Sequence, residues 1–226
     1  MQINQSDWLR YITKLSAIDQ KAADRMRVWM ERRPDADIEE LVQMAHMVSR
    51  RYGEAAASLA CEMYDATAAA QGAAVRPAEP AATATWDETN KAVRGTLKNR
   101  HSTVPATVGR LVKQAGADTM LQNAARDGAQ WAWVPNGDTC AFCMMLASRG
   151  WQRQGKKAAR GQHAEHIHAN CDCTYAVRFD GRSTVEGYGD GEKYLDVYEN
   201  AEGRSWRDKL NSMRRDQYAA TKRPGD

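Results

Sequence analysis

Apolar residues recur every three or four positions from Trp8 to Trp29, with polar residues between them. This period places a single apolar stripe along a helix. Pro34 cannot continue that helix, which is therefore expected to end near Arg33. A second stripe follows directly, from Leu41 to Met63. Two long amphipathic helices separated by a turn of a few residues are expected to pack as an antiparallel hairpin.

The composition changes after the second stripe, because residues 67–86 consist mainly of Ala, Thr, Pro and Gly. Pro77 and Pro80 lie near the middle, and Val75 is the large apolar residue among them before Trp86. Such a segment has too little apolar surface to offset the entropy of folding on its own. It is either a flexible linker or an ordered extended arm, and the sequence leaves both interpretations open.

Further helices are predicted over about 87–98 and from Thr103, which is a candidate N-cap with Pro105 in the first turn. From Gln130 the pattern becomes alternating and aromatic, and it predicts short strands at 131–134 and 174–179. The loop 181–191 contains four glycines, and two short helices are expected after it.

The predicted fold class is therefore α+β, mostly α. It comprises a long N-terminal helical hairpin (1–66), a linker or arm (67–86), and a C-terminal part (87–226). That last part includes a small strand-and-turn module (130–180), stapled by zinc as argued below, and C-terminal helices.

Composition excludes several classes of protein. The chain has 226 residues, of which 42% are hydrophobic and 27% charged, so it is neither fibrous nor disordered. It contains no run of 18 apolar residues, and its N-terminus lacks the pattern of a signal peptide, so neither a membrane span nor secretion is expected. A formal net charge of +3 is too small to indicate a dedicated nucleic-acid binder by itself.

Four of the five cysteines cluster with three of the five histidines. Cys140 and Cys143 form a Cys-x-x-Cys pair, whose spacing on a turn points two thiolates at one spot and supplies half of a tetrahedral zinc site. The second half is expected from Cys171 and either His168 or Cys173. The predicted ligands of a structural Zn²⁺ are thus Cys140, Cys143, Cys171, Cys173 and His168, from which four are needed.

Other chemistry fits the cluster less well. A redox Cys-x-x-Cys normally begins a helix after a strand and has no second cysteine pair nearby. His163 and Glu165 resemble part of a deaminase signature, but the cysteine pair lies upstream of them instead of downstream. A site closed by three or four thiolates leaves no position for a catalytic water. No Gly-x-Ser-x-Gly elbow supports Ser148 as a nucleophile, so no catalytic residue is assigned.

Between the two cysteine pairs lies a basic loop without an acidic residue. A nucleic acid could bind there through phosphate contacts and base stacking, although a solvated loop explains the same composition. The candidate residues are Arg149, Trp151, Arg153, Lys156, Lys157 and Arg160. The C-terminal helix adds Arg204, Arg207, Lys209, Arg214 and Arg215, diluted by Asp208 and Asp216, which favours contact with DNA or an acidic protein.

Residues 134–150 (VPNGDTCAFCMMLASRG), followed by His168-Ala169-Asn170-Cys171-Asp172-Cys173, resemble the phage Mu F-like minor head proteins, especially those of actinobacterial tailed phages and prophages. The ending 210–220 is similar to the C-terminal helix of that group. The motifs cover roughly 130–220. The chain departs from many relatives in having Ala169 where they have Pro.

The resemblance implies a low-copy virion protein in the head interior or at the portal vertex, made in the host cytoplasm during assembly. Its implied partners are the portal protein, the major capsid or scaffold protein, and phage DNA, with a role in head assembly, DNA packaging or DNA delivery. Some relatives are labelled capsid maturation proteases, so a protease or other hydrolase is the first alternative. A zinc-stabilised DNA-binding module is the second.

Overall fold

The computed structural model describes residues 3–99, 102–136, 139–153 and 173–221. Within these ranges the chain forms seven helices and one three-stranded antiparallel sheet, which confirms an α+β fold that is mostly α. The elements are α1 (Gln5–Arg32), α2 (Ile38–Ala70), α3 (Trp86–Asn99), α4 (Val104–Asp127), β1 (Gln130–Val134), α5 (Ala141–Ala147), β2 (Gln152–Arg153), β3 (Thr174–Arg178), α6 (Glu192–Asn200) and α7 (Trp206–Thr221).

The first two helices form the expected hairpin. Asp37 accepts hydrogen bonds from the backbone N–H groups of Glu39 and Glu40, and the Glu40 carboxylate accepts one from Asp37 N, so a capping box starts α2. The start of α1 and the end of α2 line one small cleft, which gives the antiparallel arrangement. The apolar stripe predicted to end at Met63 continues as helix to Ala70.

Helix α4 fills the groove between α1 and α2. Gly116 lies where the helices approach most closely: a Cβ atom there would be 3.3 Å from the Ala56 carbonyl oxygen on α2 and 3.5 Å from Leu15 Cδ1 on α1. Lys113 Nζ and an Asp19 carboxylate oxygen, 2.9 Å apart, form a largely buried ion pair between α4 and α1. The three helices and the sheet contribute to one hydrophobic core, which spans the predicted boundaries at 66 and 86.

Residues 71–85, the part of the Ala/Pro/Thr-rich segment between the end of α2 and the start of α3, run as an arm along α4. Asn123 on α4 accepts from Glu79 N (3.0 Å) and donates to Glu79 O (2.8 Å), and Thr119 Oγ1 accepts from Ala81 N (2.9 Å). Arg126 donates to the carbonyl oxygens of Arg76 and Pro77. Side chains thus satisfy the backbone of a segment that forms neither helix nor strand.

The sheet lies against the end of the bundle in the order β2-β1-β3. Trp133 is paired with Tyr175 and Trp131 with Val177, and Tyr175 contacts both tryptophan rings edge-on at 4.5 and 5.2 Å between centroids. A second, smaller apolar cluster joins α5 to the C-terminal helices. Its buried members are Ala141, Met145, Ala201, Leu210 and Met213.

The close approach at Gly116 yields a direct prediction. Gly116→Leu should lower the free energy of unfolding by about 1–3 kcal/mol, because the new side chain must push α4 away from Ala56 and Leu15. Gly95→Leu on α3 is the matched control, since a Cβ atom there meets no atom within 4 Å. That variant should gain several tenths of a kcal/mol from helix propensity. Urea unfolding would measure both, and equal effects at the two glycines would contradict the packing described.

Candidate metal centre

Cys140 and Cys143 lie together at the start of α5. Cys140 is the N-cap of the helix and Cys143 is in its first turn, and their Sγ atoms are 3.4 Å apart. This separation is far longer than the ~2.05 Å of a disulfide bond. It is close to the ~3.8 Å between two thiolates that share a tetrahedral zinc ion at ~2.3 Å. The short distance expected from the Cys-x-x-Cys spacing is therefore observed, and the pair fits half of a zinc site.

The backbone around this pair differs from the expectation. The sequence places the two cysteines on a turn, whereas the structure places them at the start of a seven-residue helix that follows a strand and a connecting segment. There are two physical reasons. The sequence Ala-Phe-Cys-Met-Met-Leu-Ala consists largely of good helix formers. In addition, its apolar residues Ala141 and Met145 pack on α7. Their i, i+4 spacing was the signal that could have revealed this helix.

Gln217 on α7 holds the backbone on both sides of Cys140. Its Oε1 accepts a hydrogen bond from Ala141 N (2.8 Å), and its Nε2 donates to Thr139 O (2.6 Å). One amide side chain thus satisfies a helix-terminal N–H and the carbonyl that precedes the cysteine. We call this arrangement the Gln217 clamp. No sequence motif indicates it, because the two partners are more than 70 residues apart.

The remaining predicted ligands are placed differently. Cys173 directly precedes β3 and is buried. Because Val134, the last residue of β1, pairs with Thr174, Cys173 lies at the end of the sheet where the chain leaves β1 towards Cys140. Among the described residues, no three His, Cys, Asp or Glu side chains form a group that could hold a metal ion. Cys171 and His168 lie outside the described residues, as do His163 and Glu165.

Of the residues predicted to contact nucleic acid, some are described by the structure and others lie outside the described residues. Arg149 and Arg153 are exposed, whereas Lys156, Lys157 and Arg160 lie outside the described residues. Trp151 has internal partners: its Nε1 donates to Gly189 O at 3.2 Å, and the guanidinium carbon of Arg178 lies 4.4 Å from the centroid of its ring. This cation–π contact occupies one face of the Trp151 ring.

The glycine-rich loop packs against this tryptophan and the end of α5. Gly191 has a positive φ of 84°, and a Cβ atom there would lie 2.6 Å from Ala147 O, so only glycine fits. Tyr188 donates its hydroxyl to the same carbonyl at 3.1 Å. Burial, together with the negative charge of Asp190, raises the pKa of Tyr188 and keeps this hydroxyl protonated.

Asp180 stabilises the start of the loop as a carboxylate. Its oxygens accept from the backbone N–H groups of Arg182 and Ser183 and from the Ser183 hydroxyl, at 2.7–2.9 Å. Burial raises the pKa of Asp180, but these hydrogen bonds outweigh burial and lower the pKa to about 2. The turn after β3 is therefore fixed by an ionised side chain at neutral pH.

The sequence profile of the VG15 protein family matches residues 2–201, most of the chain. The chain belongs to the VG15 protein family. This is a viral and phage protein family, which makes the chain a phage protein. No significant match to a curated protein or to a solved structure was found. None of the helices among the described residues has the length and apolar composition needed to cross a membrane.

The VG15 match covers every described helix and strand from α1 to α6, and it ends before α7. The thiol pair is therefore inside the matched range, while Gln217 is outside it. In this VG15-family protein the clamp joins a family element to a helix that follows the family match.

The clamp predicts the reactivity of Cys140. In protein freed of metal with a chelator, Gln217→Ala should raise the rate of Cys140 alkylation by iodoacetamide several-fold, because α5 loses the bonds that hold its first residue. Cys143, which is only 1% exposed, should stay slow. Peptide mass spectrometry would resolve the two cysteines.

Two variants control this experiment. Asn211→Ala removes an exposed amide from the same helix and should leave the Cys140 rate unchanged. Gln217→Glu keeps an acceptor for Ala141 N but sets a carboxylate oxygen against Thr139 O, so an intermediate rate is expected. Equal rates in folded wild type, Gln217→Ala and Gln217→Glu would show that the clamp does not control access to Cys140.

Proposed function

We propose that this phage protein is a minor head protein of the Mu F-like type, acting in the virion head interior or at the portal vertex. Its role is structural: it binds the portal protein and the major capsid or scaffold protein, and it supports head assembly, DNA packaging or DNA delivery. Assembly takes place in the host cytoplasm. Membership of a viral family supports the phage origin, and the resemblance described above supports the head role.

One structural observation carries the proposal. The two stretches that resemble Mu F-like proteins, 134–150 and 210–220, are distant in sequence but meet through the Gln217 clamp. Met145 and Met213 also lie in one buried cluster. Two resembling stretches that pack against each other form one unit, which is a stronger correspondence than either motif alone.

A structural zinc ion is part of the proposal. Cys140 and Cys143 would supply two thiolates, with Cys171 and either His168 or Cys173 completing the site. Such an ion would cross-link the start of α5 to the segment before β3, where the apolar core is small.

The hydrolase alternative gains nothing from Ser148. Its hydroxyl donates to Met145 O at 2.8 Å and closes the end of α5, which is the role of a helix-terminal residue.

The docking surface that we propose for the portal protein consists of two exposed apolar residues, Met47 on α2 and Trp86 on α3. The ring of His46, which precedes Met47 on α2, contacts Trp86 edge-on at 5.6 Å between centroids and joins this part of α2 to the start of α3.

The zinc proposal predicts one zinc ion per chain in purified protein, measured by inductively coupled plasma mass spectrometry. Cys140→Ser and Cys143→Ser should each lose most of the metal and unfold at lower urea concentration. Cys61→Ser is the matched control and should keep the metal, because Cys61 lies on α2 and is not among the predicted ligands. Burial and the nearby Asp65 also raise the pKa of its thiol, which disfavours the thiolate that a metal ion needs. A folded wild-type protein that contains no metal, and whose stability a chelator does not change, would remove zinc from the proposal.

The head role predicts retention of the portal protein in a pull-down from infected cells, and the presence of this chain in purified virions. Met47→Glu with Trp86→Glu should reduce portal recovery at least tenfold, because a charge in an apolar contact is costly to bury. Leu9→Glu, at an equally exposed leucine on α1, is the control and should bind normally. Absence of the chain from virions would refute the head role. An equal loss of portal recovery in the double variant and in Leu9→Glu would refute only the docking surface.

A further inference from the structure

Helix α7 carries cations and acids that are mixed in sequence but separated in the structure. Lys209 is engaged internally: its Nζ donates to the carbonyl oxygens of Tyr198, Glu199 and Ala201 at 2.8–3.1 Å and thereby caps the end of α6. Asp208 is engaged as well, since its carboxylate accepts from the backbone N–H and the hydroxyl of Ser205 at the start of α7. Hydrogen bonds from Ser205 lower the pKa of Asp208, so this carboxylate is ionised at neutral pH and is held at the start of α7.

The remaining cations share one face. Leu210 and Met213 are buried against α5, which fixes the rotation of α7. At about 100° per residue, five exposed residues of α7 lie within an arc of about 100° that is centred about 120° away from Leu210 and Met213, and Arg204 lies just before the helix. Asp216 is about 150° away from the middle of this arc. We call this surface the arginine face; it consists of Arg204, Arg207, Asn211, Arg214, Arg215 and Tyr218, all of them exposed.

Nearby acids leave the arginine face largely uncompensated. Glu202 lies 3.7 Å from Arg215, but the side chains are 86% and 66% exposed, so solvent screens this pair. Within the part of the chain that the structure describes, no carboxylate lies within 4 Å of the Arg204, Arg207 or Arg214 guanidinium groups. Four arginines therefore face solvent, and the part of the arginine face within α7, from Arg207 to Tyr218, extends along about 16 Å of helix.

We propose that the arginine face binds the phosphate backbone of double-stranded DNA without sequence preference. Arginine, asparagine and tyrosine side chains are groups that contact DNA phosphates. Duplex DNA presents one charge per ~1.7 Å, so about ten phosphates pass along 16 Å of helix. An acidic protein is less favoured, because four of the six residues of the face are charged, whereas protein interfaces are depleted of charge at their core.

This proposal is independent of the portal-binding role and uses residues outside both the VG15 match and the basic loop. It also explains why the overall charge is uninformative. Lys209 is engaged at the end of α6 and Asp208 at the start of α7, and the remaining arginines are concentrated on one side of α7.

Fluorescence anisotropy with a labelled 25-bp duplex of mixed sequence tests the proposal on the full chain. Arg207→Gln with Arg214→Gln should weaken binding about tenfold or more at 50 mM NaCl. It should also reduce the slope of log K against log salt by about 1.8, since each lost phosphate contact removes about 0.9. Arg207→Lys with Arg214→Lys keeps the charge and should keep most of the affinity. Circular dichroism would establish that each variant retains its helices.

The matched control is Arg25→Gln with Arg51→Gln, which removes two exposed cations from α1 and α2 and should leave DNA affinity within about twofold. Equal weakening by the control would show that net charge, and not the arginine face, attracts DNA. Wild-type protein with no measurable affinity at 50 mM NaCl would overturn the proposal. Displacement of the duplex by polyglutamate at equal charge concentration would assign the face to an acidic protein instead.

Discussion

The close packing of α4 against α1 and α2 is the constraint on which the rest of the structure depends. At Gly116 and Gly109 the helix has no side chain, so the backbone carbonyls of Ala56 and Asp19 approach to about the contact distance of a Cβ atom. With α4 fixed there, Thr119 and Asn123 are placed to bind the arm. Gly128, in the left-handed conformation, then ends α4 and directs the chain into β1. The sheet and the thiol pair beyond it take their positions from this helix.

Elements with a strong local signal could be predicted to within a few residues. Pro34 and the capping residue Asp37 fix the turn between α1 and α2, and Thr103 with Pro105 fixes the start of α4. The place of α4 in the bundle could not be predicted, because α4 is buried against α1 on one side and α2 on another. Its apolar residues surround much of the helix, and a pattern without one stripe does not say which neighbours it has.

The same division between local and long-range information applies to the candidate site. The spacing of Cys140 and Cys143 predicts two sulfur atoms close together, because three residues of chain limit how far apart they can be. The Gln217 clamp joins segments more than 70 residues apart through a single amide, which no composition or spacing reveals. Trp151 illustrates the reverse case: its surroundings in sequence suggest an open stacking surface, but Arg178 and Gly189 already contact it.

Helix α7 connects the two proposed sites because its faces have different tasks. Gln217, Leu210 and Met213 hold α5 on one side, and the arginine face is exposed on the other. A polyanion bound to the arginines would relieve their mutual repulsion and favour the helix in its docked position, which also favours the clamp around Cys140. A metal ion bound by the thiol pair would stabilise the start of α5, the surface against which α7 packs. If both sites are occupied as proposed, α7 is the element that they share, and a coupling between them would run through its packing on α5.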